Sequence, residues 1–361
     1  MIGVTITRYL AMRFTRTILA IFMTIFCLMF VVVFVEMLRR ASDSPNAGAG
    51  VVALMTAMKV PAAAENILAF TVLFGSMATF VDLTRKLELI VARAAGLSVW
   101  QFILPPVLTA LVIGIFSVTV YNPLSATMKQ RADEMELELF GVQGSLKIDH
   151  GVWLREHGAD GLAVMHATDT AKGGTQLSGV SVNVYAHDGV FIERIEAPKA
   201  QLESGAWVLS EAVISAPGEA AHYVGEYLLA TDLTPEQAAA ATTPPQGTPF
   251  WDLPDVTRRT AASGLDATGY ALQYQNLLSR PLLLVAMVLV AAAFSMKFNR
   301  AGTMIKPLAG GVVAGFVLYI ATKVLSDLGG AGLISPVVAA WSPALVGTML
   351  GAVALLYSED G

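Results

Sequence analysis

Residues 17–35 read TILAIFMTIFCLMFVVVFV, an uncharged run of 19 residues. No other feature restricts the chain as much. A helix of about 20 mainly apolar residues crosses the hydrocarbon of a bilayer. Such a run otherwise fits only the centre of a large core. Composition decides between these fates. The 361 residues are 55% hydrophobic and 14% charged, against about 45–50% and about 25% in soluble domains. The charge is also uneven: residues 124–270 carry 20 Asp/Glu and 9 Lys/Arg, and the remaining charges form short clusters between apolar runs. A single soluble domain, a collagen-like chain and a disordered protein are excluded. The first run is too long for a cleaved signal peptide and no small-residue cleavage site follows it.

Five more runs follow: Val60–Val81 with Glu65 near one end, Phe102–Val120, Pro281–Met296 extended backward through Leu277, Pro307–Leu325, and Val337–Tyr357. The sequence therefore predicts a membrane α-helical protein with six transmembrane helices. It divides the chain into residues 1–123 (spans one to three), 124–270 (a polar insert) and 271–361 (spans four to six). In the short loops, Arg8, Arg13, Arg16, Arg85, Lys86, Arg93, Lys297, Arg300 and Lys306 fall on one side. Arg39, Arg40, Lys59, Arg280 and Lys323 fall on the other. Cytoplasmic loops carry the excess of Lys/Arg, so both termini are expected in the cytoplasm and the insert outside, in the periplasm of a two-membrane cell.

Within the insert, Tyr121-Asn122-Pro123 is expected to close the third span and Ala126–Phe140 to form an acid-rich helix. From Ser145 the pattern changes to GVWLRE, GLAVMHATD, LSGVSVNVYA, GVFIERIEA, AWVLSEAVISA and AHYVGEYLLATDL. These are short runs rich in β-branched and aromatic residues, broken by Gly, Asp-Gly or Pro-Gly. His187-Asp188-Gly189 is a hairpin signal. The expectation is an extracytoplasmic all-β, jelly-roll-like domain over about 141–250, between spans three and four. Thr242–Pro249 reads as a Pro-rich linker and Asp255–Ser279 as a helix leading into span four. Residues 141–250 hold 13 acids and 5 bases, which disfavours nucleic-acid binding.

Little in the sequence points to catalysis. There is no GxxxxGK[ST] phosphate loop, GxSxG, HExxH or CxxC. His150, His157, His166, His187 and His222 match no common metal spacing, and Cys27, the only cysteine, lies in an apolar run. No catalytic residue, metal site or cofactor is expected, and intramembrane acids are few.

Two features can carry function. The first is DLTRKLELIVARAAGLSVWQFILPP. Leu87, Ile90, Val91 and Ala94 share one face of a short helix. Gly96 suits a left-handed C-terminal stop, and Ser98 with Gln101 forms an S-x-x-Q capping box. The helix either lies on lipid or docks into a cytoplasmic partner, with Glu88 and Arg93 offering charged contacts. The second is the set Arg39, Arg40 and Lys59, at the outer ends of spans one and two. They serve either as snorkelling anchors or as ligands for an anionic lipid headgroup, for which Arg offers bidentate phosphate contacts.

RYLAMRFTRT, FVEMLRRAS, LELIVARAAGLSVWQF, GVWLRE, FWDLP and SRPLLLVAMVLVAAAFS together resemble the lipopolysaccharide-export permeases of the LptF/LptG family. The resemblance runs along nearly the whole chain, and its most specific part is the loop motif. The FVEMLRR and GVWLRE segments place it nearer the LptG branch. The resemblance implies an LptF-like partner permease, an LptB-like ATPase dimer, an LptC-like bitopic protein, and lipopolysaccharide taken from the inner membrane towards a bridge of periplasmic β-jellyrolls. It makes 84–96 the coupling helix, with Leu87, Glu88, Ile90, Val91, Arg93 and Gly96 facing the ATPase. Arg39, Arg40 and Lys59 map onto the lipid-headgroup region, and span one, with Phe26, Phe30 and Val33, onto a lateral gate. Val33 and its neighbours are wholly apolar, so no headgroup cation lies deeper in that span.

The function implied is a transporter permease subunit, with ATP hydrolysis in its partner. The alternatives are an LptF-type partner permease of the same complex, or a non-transporting mechanotransmission or scaffold subunit. Subunits of that last kind typically have four spans with a large insert after the first. Here the insert follows the third of six.

Overall fold

The computed structural model describes residues 2–41, 48–94, 96, 98–140, 152–158, 161–171, 174–186, 190–203, 205–218, 220–231, 245–262, 266–295 and 305–359. The helices are α1 (Ile2–Ala41), α2 (Ala49–Asn66), α3 (Leu68–Arg85), α4 (Glu88–Ala94), α5 (Val99–Phe116), α6 (Asn122–Phe140), α7 (Leu253–Ala262), α8 (Thr268–Ser295), α9 (Ile305–Gly330) and α10 (Pro336–Glu359). Six candidate spans lie in α1, α3, α5 running into α6, α8, α9 and α10.

α8 is the central helix. Leu284 to Ala293 are buried without interruption, because α3, α5, α9 and α10 all pack on it. Small residues set the closest approaches, as expected where helices associate by packing in lipid. A Cβ on Gly114 of α5 would lie 2.5 Å from the Pro281 Cα of α8, and one on Gly351 of α10 would lie 2.7 Å from the Leu289 Cβ. α1 and α9 are the least covered spans: only 6% and 11% of their most apolar stretches are buried.

The structure changes three of the sequence boundaries. The second apolar run does not form one helix, since Val60–Val81 straddles a break at Ile67 between α2 and α3. Glu65, beside that break, is drawn inward by partners on α6 and α8. Tyr121-Asn122-Pro123 does not end the third span either. A π-helical turn, Ser117–Tyr121, leads directly into α6. Pro123 has no N–H to donate, and the Thr119 carbonyl four residues earlier instead accepts a bond from the Trp251 indole at 3.2 Å. Asp255–Ser279 is two helices, α7 and α8. Asp266 accepts from the Thr268 amide at 2.8 Å, an Asx turn that starts the second.

The β insert follows its sequence pattern closely. The strands are β1 (Val152–Gly158), β2 (Gly161–Ala171), β3 (Gln176–Tyr185), β4 (Phe191–Glu203), β5 (Ala206–Ser215) and β6 (His222–Ala230). Every neighbour pair is antiparallel, and the sheet order is sequential from β1 to β6, an up-and-down meander. Alternate residues build one core: Met165, Leu177, Val182, Ile195, Trp207 and Leu209 are fully buried there. The hairpin signal at 187–189 lies outside the described residues, as do 242–244 of the Pro-rich linker. Ala186 N–H donates to Val190 O at 2.8 Å, and Pro245–Gly247 forms a 3-10 turn.

Candidate functional site

The short helix α4 is fixed by its two ends and one buried residue. Leu87 turns the chain out of α3 with φ 60, a left-handed conformation that a bulky residue rarely takes. Leu89 is 5% exposed and packs into the main helical core. Gly96 has φ 85, as its place after the helix predicts. Ser98 and Gln101 form the reciprocal capping box that begins α5. With Leu89 turned inward, the opposite face is bare: Leu87 is 53% and Val91 65% exposed, and Ala94 is exposed too. The side chains of Ile90 and Arg93 lie outside the described residues.

Glu88 is not an isolated charge on that helix. Arg13 Nη1 donates to both of its carboxylate oxygens at 2.9 Å, and the Tyr9 hydroxyl donates to Oε2 at 3.2 Å. The other nitrogen, Arg13 Nη2, pairs with Asp82 near the end of α3, which also receives Lys86 at 3.3 Å. Arg13 thus joins α1, α3 and α4 in one knot. Read from sequence, Arg13 was only one of the cations counted for orientation.

At the far end of α1, the three predicted headgroup cations come together with acids that the sequence does not single out. Arg39 and Arg40 both reach Glu36, at 3.0 and 3.1 Å. Arg40 also lies 3.6 Å from Glu136 on α6. Lys59 on α2 pairs with Glu136 and, at 3.1 Å, with Asp133. Phe26, Phe30 and Val33 lie half-buried on α1 below this cluster. Phe26 meets Phe22 at 6.1 Å between ring centroids, Phe30 stacks on Phe34 at 5.9 Å, and Val33 packs against the Met37, Ala41 and Val52 cluster.

A third group joins the helices between these ends. Glu65, 8% exposed, pairs with Arg280 of α8 and accepts from Asn122 Nδ2 at 2.9 Å and Ser125 Oγ at 3.0 Å. The Asn122 side-chain oxygen accepts from the Phe250 amide at 3.0 Å. This ties the segment preceding α7 to the helix bundle. Beside it, Ile18, Leu19, Phe22, Leu68, Ile113 and Phe116 line an apolar recess of about 280 Å³. Among the described residues, no group of three or more His, Cys, Asp or Glu could hold a metal ion.

Residues 8–357 match the family Lipopolysaccharide export system permease LptF/LptG. The chain belongs to that family. It is 22% identical over 342 residues to the lipopolysaccharide export system permease protein LptG of Escherichia coli strain K12, covering 93% of each chain. It is 21% identical over 328 residues to the LptG protein of Haemophilus influenzae strain Rd, covering 90% of each. As an LptF/LptG permease with LptG-named relatives, it is a lipopolysaccharide-export transporter component rather than an enzyme. Six apolar helices fit a multi-pass inner-membrane protein. The antiparallel sheet between the third and fourth spans is consistent with the LptF/LptG fold.

Proposed function

We propose that this chain is the LptG-type permease subunit of an ATP-driven transporter. In this reading it takes lipopolysaccharide from the inner membrane and passes it to a periplasmic β-jellyroll bridge. Residues 1–123 and 271–361 form the membrane part, with both termini cytoplasmic, and 124–270 the periplasmic part. The ATPase is an LptB-like dimer, the second permease is LptF-like, and an LptC-like bitopic protein sits alongside.

One observation carries the ATPase reading. α4 and the elbow before it present Val91 and Leu87 to the outside, while Leu89 and the Arg13 knot hold the other face of the helix to the bundle. A rigid helix with a bare apolar face suits a lever seated in a partner's groove. The coupling segment 84–96, including Leu87, Glu88, Ile90, Val91, Arg93 and Gly96, takes that role. The sparse cover on α1 and α9 supports a second permease facing those spans. Phe26, Phe30 and Val33 on α1 are then the lateral gate, and Arg39, Arg40 and Lys59 the headgroup cations. β6, at one end of the sheet order, leaves Tyr223 and Leu228 exposed, suited to contact with a further β domain.

The deciding experiment is purification of the tagged chain from native membranes, with identification of the subunits and lipid that accompany it. The wild-type chain retains an ATPase and a second permease. Val91→Glu loses the ATPase and keeps the permease. Full retention of the ATPase by Val91→Glu would refute the docking role of α4.

A further inference from the structure

The carboxylates around Arg39, Arg40 and Lys59 differ in burial, and the difference assigns them opposite work. Glu136 is 3% exposed. It lies between α1 and α2, facing Arg40 from one and Lys59 from the other. Its Oε1 accepts no hydrogen bond among the described residues and has Arg40 Nη1 at 3.6 Å. Glu36 and Asp133 are side chains about two-fifths exposed. Glu36 reaches two cations one turn further along its own helix, and Asp133 has Lys59 at 3.1 Å.

The six side chains carry three positive and three negative formal charges. Taken by themselves these six are neutral, and the three carboxylates weaken the pull of the cations on a lipid anion until one of them leaves. We propose that Glu136 is a positioning residue that holds Arg40 and Lys59 side by side for a phosphate-bearing lipid headgroup. Glu36 and Asp133 are stand-in ligands that the phosphate displaces. This rests on the headgroup reading of Arg39, Arg40 and Lys59.

The physical basis is the unequal cost of release. Exposed ion pairs are weak, because water screens them and holding long side chains costs entropy. A phosphate offers more charge than a carboxylate, and its oxygens fit the guanidinium fork. It therefore outcompetes Glu36 and Asp133, which return to water at little cost. Glu136 has no such exit. Without it, Arg40 and Lys59 would repel one another, and Lys59, whose side chain is 11% exposed, would lose its buried counterion.

The test uses the full complex in nanodiscs, with lipid A carrying both phosphates and dephosphorylated lipid A as probes. Glu36→Gln with Asp133→Asn raises affinity for the phosphorylated probe by roughly three- to tenfold, the scale of releasing two part-exposed carboxylates from their cations. Glu136→Gln lowers it by a similar factor and leaves the dephosphorylated probe unaffected. The proposal is overturned if Glu136→Gln raises affinity, or if it weakens both probes equally, which marks a merely structural role. It is equally overturned if the Glu36 and Asp133 pair of changes leaves affinity unaltered. Arg40→Gln with Lys59→Gln is the control for the underlying reading. Unchanged affinity there means that the cations do not hold the headgroup at all.

Discussion

Arg13 of α1 holds Glu88 of α4 through both carboxylate oxygens at 2.9 Å, across 75 residues of sequence. The same guanidinium pairs with Asp82, so one side chain sets the angle between the end of α3 and the helix that follows. With Leu87 at φ 60 between them, α4 has little freedom to pivot. A force applied to α4 is therefore passed to α1, the span bearing the proposed gate residues.

Arg13→Gln removes that link. Glu88 and Asp82 are part-exposed, so screening keeps the stability loss to about 1 kcal/mol. The functional loss exceeds that. ATP hydrolysis by the reconstituted complex persists while lipid release per ATP falls, and Arg13→Lys recovers only part, since Lys cannot hold both acids in a planar fork. Coupled transport at wild-type stoichiometry in Arg13→Gln would show that the knot transmits nothing.

Leu87 separates shape from docking. Leu87→Gly relieves a left-handed conformation that costs a non-glycine residue about 1 kcal/mol, so the melting temperature in detergent holds or rises. The same change deletes an exposed apolar side chain and lowers ATPase retention. Leu87→Val carries a β-branched residue into the same φ and melts lower than wild type. A lower melting temperature for the glycine variant would mean that the elbow is not strained.

Gly351 tests the packing of α10 on α8. A Cβ there meets Leu289 Cβ at 2.7 Å and backbone atoms of α8 at 3.3 Å. Gly351→Leu should cost about 1–3 kcal/mol, the usual penalty for overpacking, read as a lower melting temperature of the purified chain. Gly332, where φ is 73 and nothing lies within 4 Å of a Cβ, marks the contrast: Gly332→Asn, tolerant of that φ, changes it little.

Local rules carried much of this fold into the sequence. The six strands, the glycine stop at Gly96 and the Ser98–Gln101 box each depend on residues a few positions apart, and each is found where the pattern places it. The ion pairs were not legible in that way. Lys59 meets Glu136 and Glu65 meets Arg280 across 77 and 215 residues, a separation that no periodicity reports. The acids on α6 therefore read only as part of an acid-rich helix, and Glu65 as a charge near a span end. The break at Ile67 was hidden for another reason: Val60–Val81 carries no charge but Glu65 and so reads as one continuous span. One signal was present: an acid and an arginine, each embedded in an apolar run, need a partner in lipid.

Glu65 and Arg280 make the last prediction sharp, because a buried ion pair behaves differently when halved and when replaced. Glu65→Leu leaves Arg280, 17% exposed, without its counterion and strips acceptors from Asn122 and Ser125. A loss of about 3–5 kcal/mol is expected for one uncompensated partner. Arg280→Met leaves Glu65 with Asn122 and Ser125 still donating to it, so its loss is smaller. The double variant removes both charges and recovers most of the stability, giving a coupling energy of the sign expected for a pair in contact. Unfolding of the four proteins in one detergent measures it. Additive losses would show that the two charges are solvated independently and that the centre of the bundle is held by apolar packing around α8 alone.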